Sequence, residues 1–379
     1  MRRSLPEVQF VAGNRVTLLR DGREAFPAML AAIEGAERQI LLEMYWFDSD
    51  RIGRRFGLAL AAAARRGVEV AVCYDAIGSL EADPAFFATL EAAGVLVHEF
   101  NPVLPWRRRF GETALSRRNH RKNLTVDGRI GFTGGVNIAD AWLPREDGGQ
   151  GFRDDVVCIE GPAVSGLVDC FLSTYARYAG RTITRARPAG SGPGVAGSQS
   201  VRIIADAQRG NQRQILRAYL YRVHRARDRV FVANSYFVPD ARILRALVNA
   251  ARRGVDVRVL LPGQSDVPVV RLASRALYER LLRAGVRLFE LQKNVLHSKT
   301  AVVDGEWSTI GTFNLDHLSL RFNLEVNVAV LDPRFGAVME QSFLEDLRES
   351  DEVALERFAK RPWLERVVER SLYRFRTLM

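Results

Sequence analysis

Apolar residues in this chain alternate between two rhythms, and the alternation occurs twice. Over residues 26–38 they fall at helical spacing, and the pattern then gives way to the apolar run 40–47, which has strand character. The same succession returns when residues 215–227 lead into Val230-Phe231-Val232-Ala233. Each run is followed by a helix closing in Arg-Arg-Gly-Val (65–68 and 252–255) and then by a Val-rich strand. A further helix closes in Ala-Gly-Val (93–95 and 284–286) ahead of another strand. Gly67 and Gly254 are expected to cap their helices at the C-terminus. Helices alternating with short β-branched runs predict a layered α/β fold. A repeat of roughly 180 residues is too long for a solenoid and predicts tandem homologous domains. Residues 188–200 are rich in Gly, Pro and Ser without any hydrophobic period, as a linker is. The expected order is a first domain over 1–187, a linker over 188–200, a second domain over 201–350 and a C-terminal segment over 351–379.

Composition narrows the partners. The 379 residues carry 55 Lys and Arg against 44 Asp and Glu, a net charge of +11, so an anionic partner is expected. Charge alone does not separate nucleic acid from anionic lipid. Cys73, Cys158 and Cys170 all sit in apolar runs and include no C-x-x-C pair. Buried thiols in a reducing cytosol are expected, with neither a disulfide framework nor a zinc site. The N-terminus meets Pro6, Glu7 and Asn14 where a signal peptide would be apolar, and no run of 18 apolar residues occurs. A soluble protein, or one lying on a membrane surface, is the expectation.

The chemistry lies in a second repetition. His120-Arg121-Lys122 runs on to Asp127, and His297-Ser298-Lys299 runs on to Asp304, each spelling H-x-K, four residues and Asp. At equal distances beyond come Gly134-Gly135-Val136-Asn137 and Gly311-Thr312-Phe313-Asn314. Two half-sites are implied. A neutral imidazole can attack phosphorus or move a proton, while an ammonium and an amide hold phosphate oxygens. On a strand, His and Lys two apart share a face. Asp127-Gly128 and Asp304-Gly305 are tight-turn signals between apolar runs, so each motif is expected to be a hairpin. The two Asp residues then face away from the site and mainly hold the turn, with direct chemistry as the alternative. The glycines would let backbone approach a ligand, and Asn137 and Asn314 would open the next helix, where amides meet phosphate. Asp154 and Glu325 are candidates to hold the far nitrogens of the imidazoles, fixing their tautomer; ordinary strand-end charges are the plain alternative. No acidic or His/Cys cluster has ligand spacing, so no metal and no cofactor is expected.

These residues resemble the phospholipase D superfamily, which is defined by two H-x-K-x4-D motifs with a downstream G-[GS]-x-N. Thr312 stands where that pattern has Ser or Gly and keeps a hydroxyl. Within the superfamily the chain looks most like short bacterial cardiolipin synthases without N-terminal membrane spans. The strings that carry this are Asn119-His120-Arg121-Lys122, Phe132-Thr133-Gly134-Gly135-Val136-Asn137, Ser308-Thr309-Ile310-Gly311-Thr312-Phe313-Asn314-Leu315-Asp316 and Ser319-Leu320-Arg321-Phe322-Asn323-Leu324-Glu325. The resemblance spans residues 16 to 347. It implies two tandem α/β/α domains related by a pseudo-twofold, with one site at their interface. It also implies metal-free transfer of a phosphatidyl group through a phosphatidyl-histidine, with His120 as nucleophile and His297 as acid/base. Lys122, Lys299, Asn137 and Asn314 would hold the phosphate oxygens, and the catalytic set would be His120, Lys122, Asp127, His297, Lys299 and Asp304. Phosphatidylglycerol as donor, a second phospholipid or alcohol as acceptor, and a peripheral place on the cytoplasmic face of an anionic membrane are further implications. Nucleic acid is not expected as a partner. A hydrolase of lipid or nucleic acid is the runner-up, and a non-catalytic anion-binding protein is disfavoured because neither motif has lost a reactive residue.

The remaining features are weighed more plainly. His98, His224 and His317 have no repeat partner, and structural or surface roles are expected, His317 being nearest to a motif. Tyr45, Trp46 and Phe47 read as core strand-end residues. Arg107-Arg108-Arg109 and Arg117-Arg118 bracket the first motif, either as a solvated loop or as a lip for anionic headgroups. From 361 to 379, Trp363, Leu364, Val367, Val368, Leu372, Phe375 and Leu378 form one helical stripe opposed by Arg366, Arg370, Arg374 and Arg376. Such a helix either lies in a membrane interface or packs on the domain.

Overall fold

The computed structural model describes residues 10–103, 117–186, 194–206 and 213–378. The Arg107-Arg108-Arg109 lip and linker positions 188–193 lie outside the described residues. The first half runs β1 (Val11–Arg20), α1 (Asp21–Glu34), β2 (Gln39–Met44), α2 (Arg51–Arg65), β3 (Glu69–Asp75), α3 (Pro84–Ala92) and β4 (Leu96–Phe100). The hairpin β5 (Asn123–Val126) and β6 (Ile130–Gly134) follows, then β7 (Asp155–Glu160) and α4 (Val164–Tyr178). The second half opens with β8 (Gln199–Asp206), α5 (Gln214–Arg225), β9 (Arg229–Asn234), α6 (Ala241–Arg252) and β10 (Asp256–Pro262). It continues through α7 (Pro268–Arg275), α8 (Tyr278–Leu282), β11 (Arg287–Leu291), β12 (Lys299–Val303) and β13 (Trp307–Gly311). It closes with α9 (His317–Arg321), β14 (Glu325–Leu331) and α10 (Pro333–Arg348), after which come β15 (Ser350–Glu352), α11 (Leu355–Ala359) and α12 (Trp363–Arg374).

Local chemistry accounts for these boundaries. Asp50 and Asp240 cap α2 and α6 by accepting from Gly53 N at 2.9 Å and Arg242 N at 2.8 Å. Gly67, Gly254 and Gly285 follow the helix ends at φ +90°, a conformation that glycine enters without strain. The first helix starts and stops earlier than the pattern 26–38 suggests. Glu24 reaches back to accept from Arg20 N at 2.9 Å, and the chain leaves the helix at Gly35. Residues 36–38 are drawn into a turn tied to Asp127.

The halves share one mixed sheet of fifteen strands among the described residues, ordered β15-β11-β10-β9-β12-β13-β14-β8-β1-β7-β6-β5-β2-β3-β4. Read outward from the β1–β8 seam, β1-β7-β6-β5-β2-β3-β4 mirrors β8-β14-β13-β12-β9-β10-β11 strand for strand. This is the pseudo-twofold of two phospholipase D-like units. Each half has its own core, and a third apolar cluster crosses between them, with Val157, Ile159, Val201, Ile310, Val326 and Val328 all buried. Each such side chain contributes about 1.5–3 kcal/mol when fully buried, so the seam is apolar before any polar contact is counted. Beyond α10 the C-terminal segment is no single helix, because Ser350–Glu352 first adds an antiparallel edge strand to β11. No helix among the described residues is long and apolar enough to cross a membrane.

Candidate active site

Each H-x-K motif enters its hairpin at the seam. In both turns the Asp and Gly adopt positive φ, 53° and 62° at Asp127-Gly128 and 53° and 67° at Asp304-Gly305. That is the type I′ geometry matching strand twist. Asp127 accepts from the backbone N–H groups of Glu37, Arg38 and Gln39 at 3.0, 2.8 and 2.9 Å. Asp304 does the same for Arg227, Asp228 and Arg229 at 3.0, 2.9 and 3.0 Å. Both lie at the far end of the hairpin strand, roughly 17 Å along the chain from the lysine at ~3.3 Å per residue. The alternative of direct chemistry for Asp127 and Asp304 is therefore corrected: they fasten the hairpin to the start of β2 or β9.

The two halves then reach across to one another. Asn119 and Leu324 form a parallel bridge, as do Arg153 and Leu296, so the residue before each histidine pairs with the residue before a carboxylate of the other half. His120 N–H donates to Leu324 O at 3.0 Å, and His297 N–H donates to Arg153 O at 2.7 Å. Side chains repeat the exchange. His120 Nδ1 lies 3.1 Å from both carboxylate oxygens of Glu325, and His297 Nδ1 lies 2.7 Å from Asp154 Oδ2. All four groups are buried. Asp154 and Glu325 thus sit behind the imidazoles, each serving the half it does not belong to.

The motif glycines make room for the protein itself, Gly135 for the Asp154 carboxylate and Gly134 and Gly311 for the neighbouring strand. A Cβ on Gly135 would meet Asp154 Oδ1 at 2.1 Å, and one on Gly311 would meet Val326 O at 2.3 Å. Asp154 also accepts from Trp142 Nε1 at 2.9 Å and from Asp155 N at 2.9 Å. Where the first half has Gly135 the second has Thr312, whose hydroxyl donates to Glu325 Oε2, while Asn323 Nδ2 donates to Oε1 at 3.2 Å. Asn137 and Asn314 do not open helices, because the chain leaves β6 and β13 to bond the segments at the ends of β2 and β9, Ile138 N donating to Trp46 O and Leu315 N to Asn234 Oδ1. Their side-chain oxygens are engaged, Asn137 by Trp46 N at 3.0 Å and Asn314 by Ser235 Oγ at 2.8 Å, which fixes the orientation of each amide.

Lys122 and Lys299 are buried, and each donates to the carbonyl of its own motif histidine; Lys299 also donates to Ser235 Oγ at 2.9 Å. Tyrosine rings border both. Lys122 Nζ is 4.9 Å from the Tyr45 ring, which also meets His120 edge-on at 4.9 Å. Lys299 Nζ is 5.8 Å from the Tyr236 ring, which meets His297 at 6.3 Å. Tyr45 was read as a core residue, and Tyr236, Ser235 and Trp142 were not singled out. The repeat hides them. Pairing of Glu43 with Asn123 and of Lys299 with Asn234 makes Tyr45 equivalent to Ser235 and Trp46 equivalent to Tyr236, so no tyrosine recurs at a matched position.

A polar layer lies behind the site. Arg121, fully buried, donates to Glu325 O at 3.2 Å and Thr174 Oγ1 at 3.0 Å and faces Glu43 at 3.8 Å. Its counterpart Ser298 donates to Asp155 Oδ2 at 2.5 Å, and Asp155 is paired with Arg153 at 2.9 Å. His317 lies outside this arrangement, its charged neighbours being Arg321, Arg376 and Asp240. Cys73 and Cys170 are buried and Cys158 is half-buried, all as thiols.

Burial governs the charge states of the site. Burial, and to a smaller degree Lys299, draws Lys122 down to about 7 despite the opposing Glu325. Burial likewise lowers Lys299. His120 is lowered by burial, and His297 is held well below its ordinary value by burial and then by Lys299, so burial favours the neutral form of both imidazoles. Burial raises Asp154 to about 6. Burial would also raise Glu325, but His120 and the Thr312 hydroxyl outweigh it and leave that carboxylate below its usual range. Burial disfavours the charged form of both lysines, and an anion placed between them would favour it again.

A family model described as "Cardiolipin synthase, PLD-like domain" matches residues 29–147 and again 219–347. The chain is 37% identical over 359 residues to a cardiolipin synthase of Geobacillus kaustophilus (strain HTA426), covering 94% of this chain and 70% of that one. It is 36% identical over 358 residues to cardiolipin synthase B of Escherichia coli (strain K12), covering 93% and 85%. In fold it is similar to a phosphatidylserine synthase of Haemophilus influenzae Rd KW20, with a TM-score of 0.77 over 98% of both chains; at 12% identity that likeness speaks for the fold alone.

Proposed function

The chain belongs to the cardiolipin synthase family with its phospholipase D-like domain and is an enzyme of that kind, a phosphatidyltransferase, and we propose that it makes cardiolipin from phosphatidylglycerol and a second phospholipid or alcohol through a phosphatidyl-histidine. The observation that carries this reading is the crosswise pairing of His120 with Glu325 and His297 with Asp154, which builds one two-imidazole site from two half-sites. His120 Nε2 attacks the donor phosphorus, forming a P–N bond as the bond to the glycerol headgroup oxygen breaks. The phosphodiester anion offsets the charge of the two lysines, so His297 can take up a proton and give it to that leaving oxygen. An acceptor hydroxyl then loses its proton to His297 and attacks phosphorus, and the P–N bond breaks, restoring His120. Lys122 and Lys299, with the amides of Asn137 and Asn314, hold the nonbridging oxygens, at roughly 2.7–4 kcal/mol of transition-state stabilisation per well-placed donor.

The experiment is product analysis. Purified protein is incubated with phosphatidylglycerol, alone and with phosphatidylethanolamine, and the lipids are identified by mass spectrometry. Cardiolipin with release of the donor headgroup is expected, and both products should vanish in His120→Ala and His297→Ala. His297→Ala given a donor with a good leaving group should accumulate acid-labile, base-stable phosphate on His120. Phosphatidic acid as the sole product would replace transfer with hydrolysis, and label found only on His297 in the His120→Ala enzyme would reverse the two roles.

A further inference from the structure

The helix α12 is oriented opposite to an ordinary packing helix. Its inward side carries Glu369, 1% exposed, which pairs with Arg275 Nε at 3.0 Å and with Arg361 at 2.9 Å. The half-buried Leu372 and Tyr373 complete that side and pack with Tyr236 against Val238, Val270 and Ala273. Its outward side presents Trp363 at 68% exposure, Leu364 at 59%, Val367 at 47%, Val368 at 42% and, just past the helix end, Phe375 at 59%. At 100° per residue these five positions fall within one arc of about 140°. Arg370 and Arg374, both exposed, lie in or beside that arc, while Glu365 falls outside it. A surface helix buries its apolar stripe and shows its polar one; this helix does the reverse. The sequence stripe is present, but among its described side chains only Leu372 faces the protein.

The same helix adjoins the active site. Leu372, Tyr373 and Tyr236 pack on the same small cluster of Val238, Val270 and Ala273, and Tyr236 is the ring bordering Lys299 and His297. Its hydroxyl is hydrogen-bonded to Asp266, at the start of the segment that leads through the exposed Val267 and Val269 into α7. The helix that carries the apolar arc therefore packs, by its other side, on the cluster next to the second half-site.

We propose that the outward face of α12 is a bilayer-docking face. Trp363, Leu364, Val367, Val368 and Phe375 enter the boundary between headgroups and acyl chains, and Arg370 and Arg374 meet anionic headgroups. The charges favour a membrane over a second copy of this chain. An isologous contact would set these arginines against each other without an acid in the arc, whereas an anionic bilayer supplies both the apolar layer and the counter-charge. Docking in this pose holds the protein on the lipid surface through the helix packed beside the second half-site. The inference rests on the lipid reading above for its meaning, but its test does not depend on turnover.

Two surface variants are compared with the wild type: the triple W363E/V367E/F375E, and R370E/R374E. Each is sedimented with vesicles of phosphatidylglycerol and phosphatidylcholine in equal parts, and with phosphatidylcholine alone. Thermal melting, size-exclusion chromatography and hydrolysis of the soluble bis(4-nitrophenyl) phosphate run alongside. The triple variant should bind both vesicles at least about tenfold more weakly, since it loses three inserted side chains. The double variant should lose roughly thirtyfold on anionic vesicles, with a shallower salt dependence, and little on neutral ones. Melting and soluble turnover should stay at wild-type values in both. Wild-type vesicle binding by both variants would overturn the proposal. So would a wild-type dimer that the triple variant dissolves into monomers without loss of vesicle binding, which would make the face an interface between copies. If the triple variant melts early, the double variant alone decides. Intact vesicle binding with no transferase activity would refute the reaction assigned above and leave this surface standing.

Discussion

Glu325→Gln isolates the crosswise contact with little change of shape. Glu325 is fully buried and receives donors only: His120 Nδ1–H, the Thr312 hydroxyl and the Asn323 amide. A glutamine keeps one acceptor oxygen and adds an NH2 that these partners cannot all accommodate. If that NH2 faces His120, Nδ1 must become the acceptor, and the proton moves to Nε2, the nitrogen that has to attack. If the oxygen faces His120, the tautomer survives but the counter-charge to the phospho-imidazolium is gone. An amide in place of the carboxylate behind a catalytic imidazole costs up to about 10⁴-fold in turnover by the first route, and loss of a positioned acid–base partner costs about 10²-fold or more by the second. The expected fall in kcat is therefore roughly 10²–10⁴-fold. Stability should drop by only about 2 kcal/mol, the worth of hydrogen bonds to a charged group.

The assay is steady-state transfer between phospholipids in mixed micelles, read by mass spectrometry, beside thermal melting of the same preparation. KM should change less than kcat, because Glu325 has no contact with substrate in the proposed mechanism. A variant retaining more than about a tenth of wild-type kcat would refute the claim that the far half orients His120. Loss of activity in step with loss of folded protein would make Glu325 a structural residue.

Three further outcomes follow from the geometry. Gly135→Ala, remote from the reacting atoms, should cut turnover by roughly 10–100-fold, because its Cβ would stand 2.1 Å from Asp154 Oδ1 and displace the carboxylate behind His297; unchanged kinetics would show that Asp154 relocates freely. Asp127→Asn keeps a residue tolerant of φ 53° but weakens the three backbone bonds, so urea denaturation should show a loss of ~1–3 kcal/mol with kcat per folded molecule preserved. Lys122, with a value of about 7, is protonated below that pH and neutral above it, so tungstate should bind more weakly as pH rises past 7. Calorimetry at pH 7 in buffers of different ionisation enthalpy should show proton uptake that falls by about half a proton in Lys122→Met, the share of Lys122 beside any taken up by His297.

Much of this was legible because a duplicated sequence is its own control. The H-x-K pairs, the Asp-Gly turns and the helix-capping glycines recur at fixed spacing, and each recurs in the fold at equivalent places. The candidacy of Asp154 and Glu325 came from chemistry, the need of an imidazole for a carboxylate, but spacing could not say which acid serves which histidine. That is decided by the Asn119–Leu324 and Arg153–Leu296 bridges, long-range contacts with no local signature. The motif glycines report close approach without naming what approaches, here the Asp154 carboxylate at Gly135 and the adjoining strand at Gly134 and Gly311. Asn137 and Asn314 were placed at helix starts on the strength of the glycines before them, whereas the strand ends of β2 and β9 claim that stretch. Tyr45 and Tyr236 escaped because they occupy positions one apart in the repeat, so the internal comparison that exposed everything else concealed them.

The departures from symmetry bear on how two like halves divide the work. Glu325 is kept firmly ionised behind His120 by the imidazole and the Thr312 hydroxyl. Asp154, lifted by burial to about 6, holds a proton more readily behind His297. A nucleophile that becomes a positively charged phospho-imidazole gains from a carboxylate that stays anionic throughout. An imidazole that must collect a proton and release it again gains from a partner whose own proton affinity lies near neutrality, since the transfer then meets no steep step in either direction. The source of the difference is small: a hydroxyl at 312 where the other half has glycine, and an indole N–H at Trp142 in place of the Asn323 amide. These differences support the proposed assignment of His120 as nucleophile and His297 as acid/base.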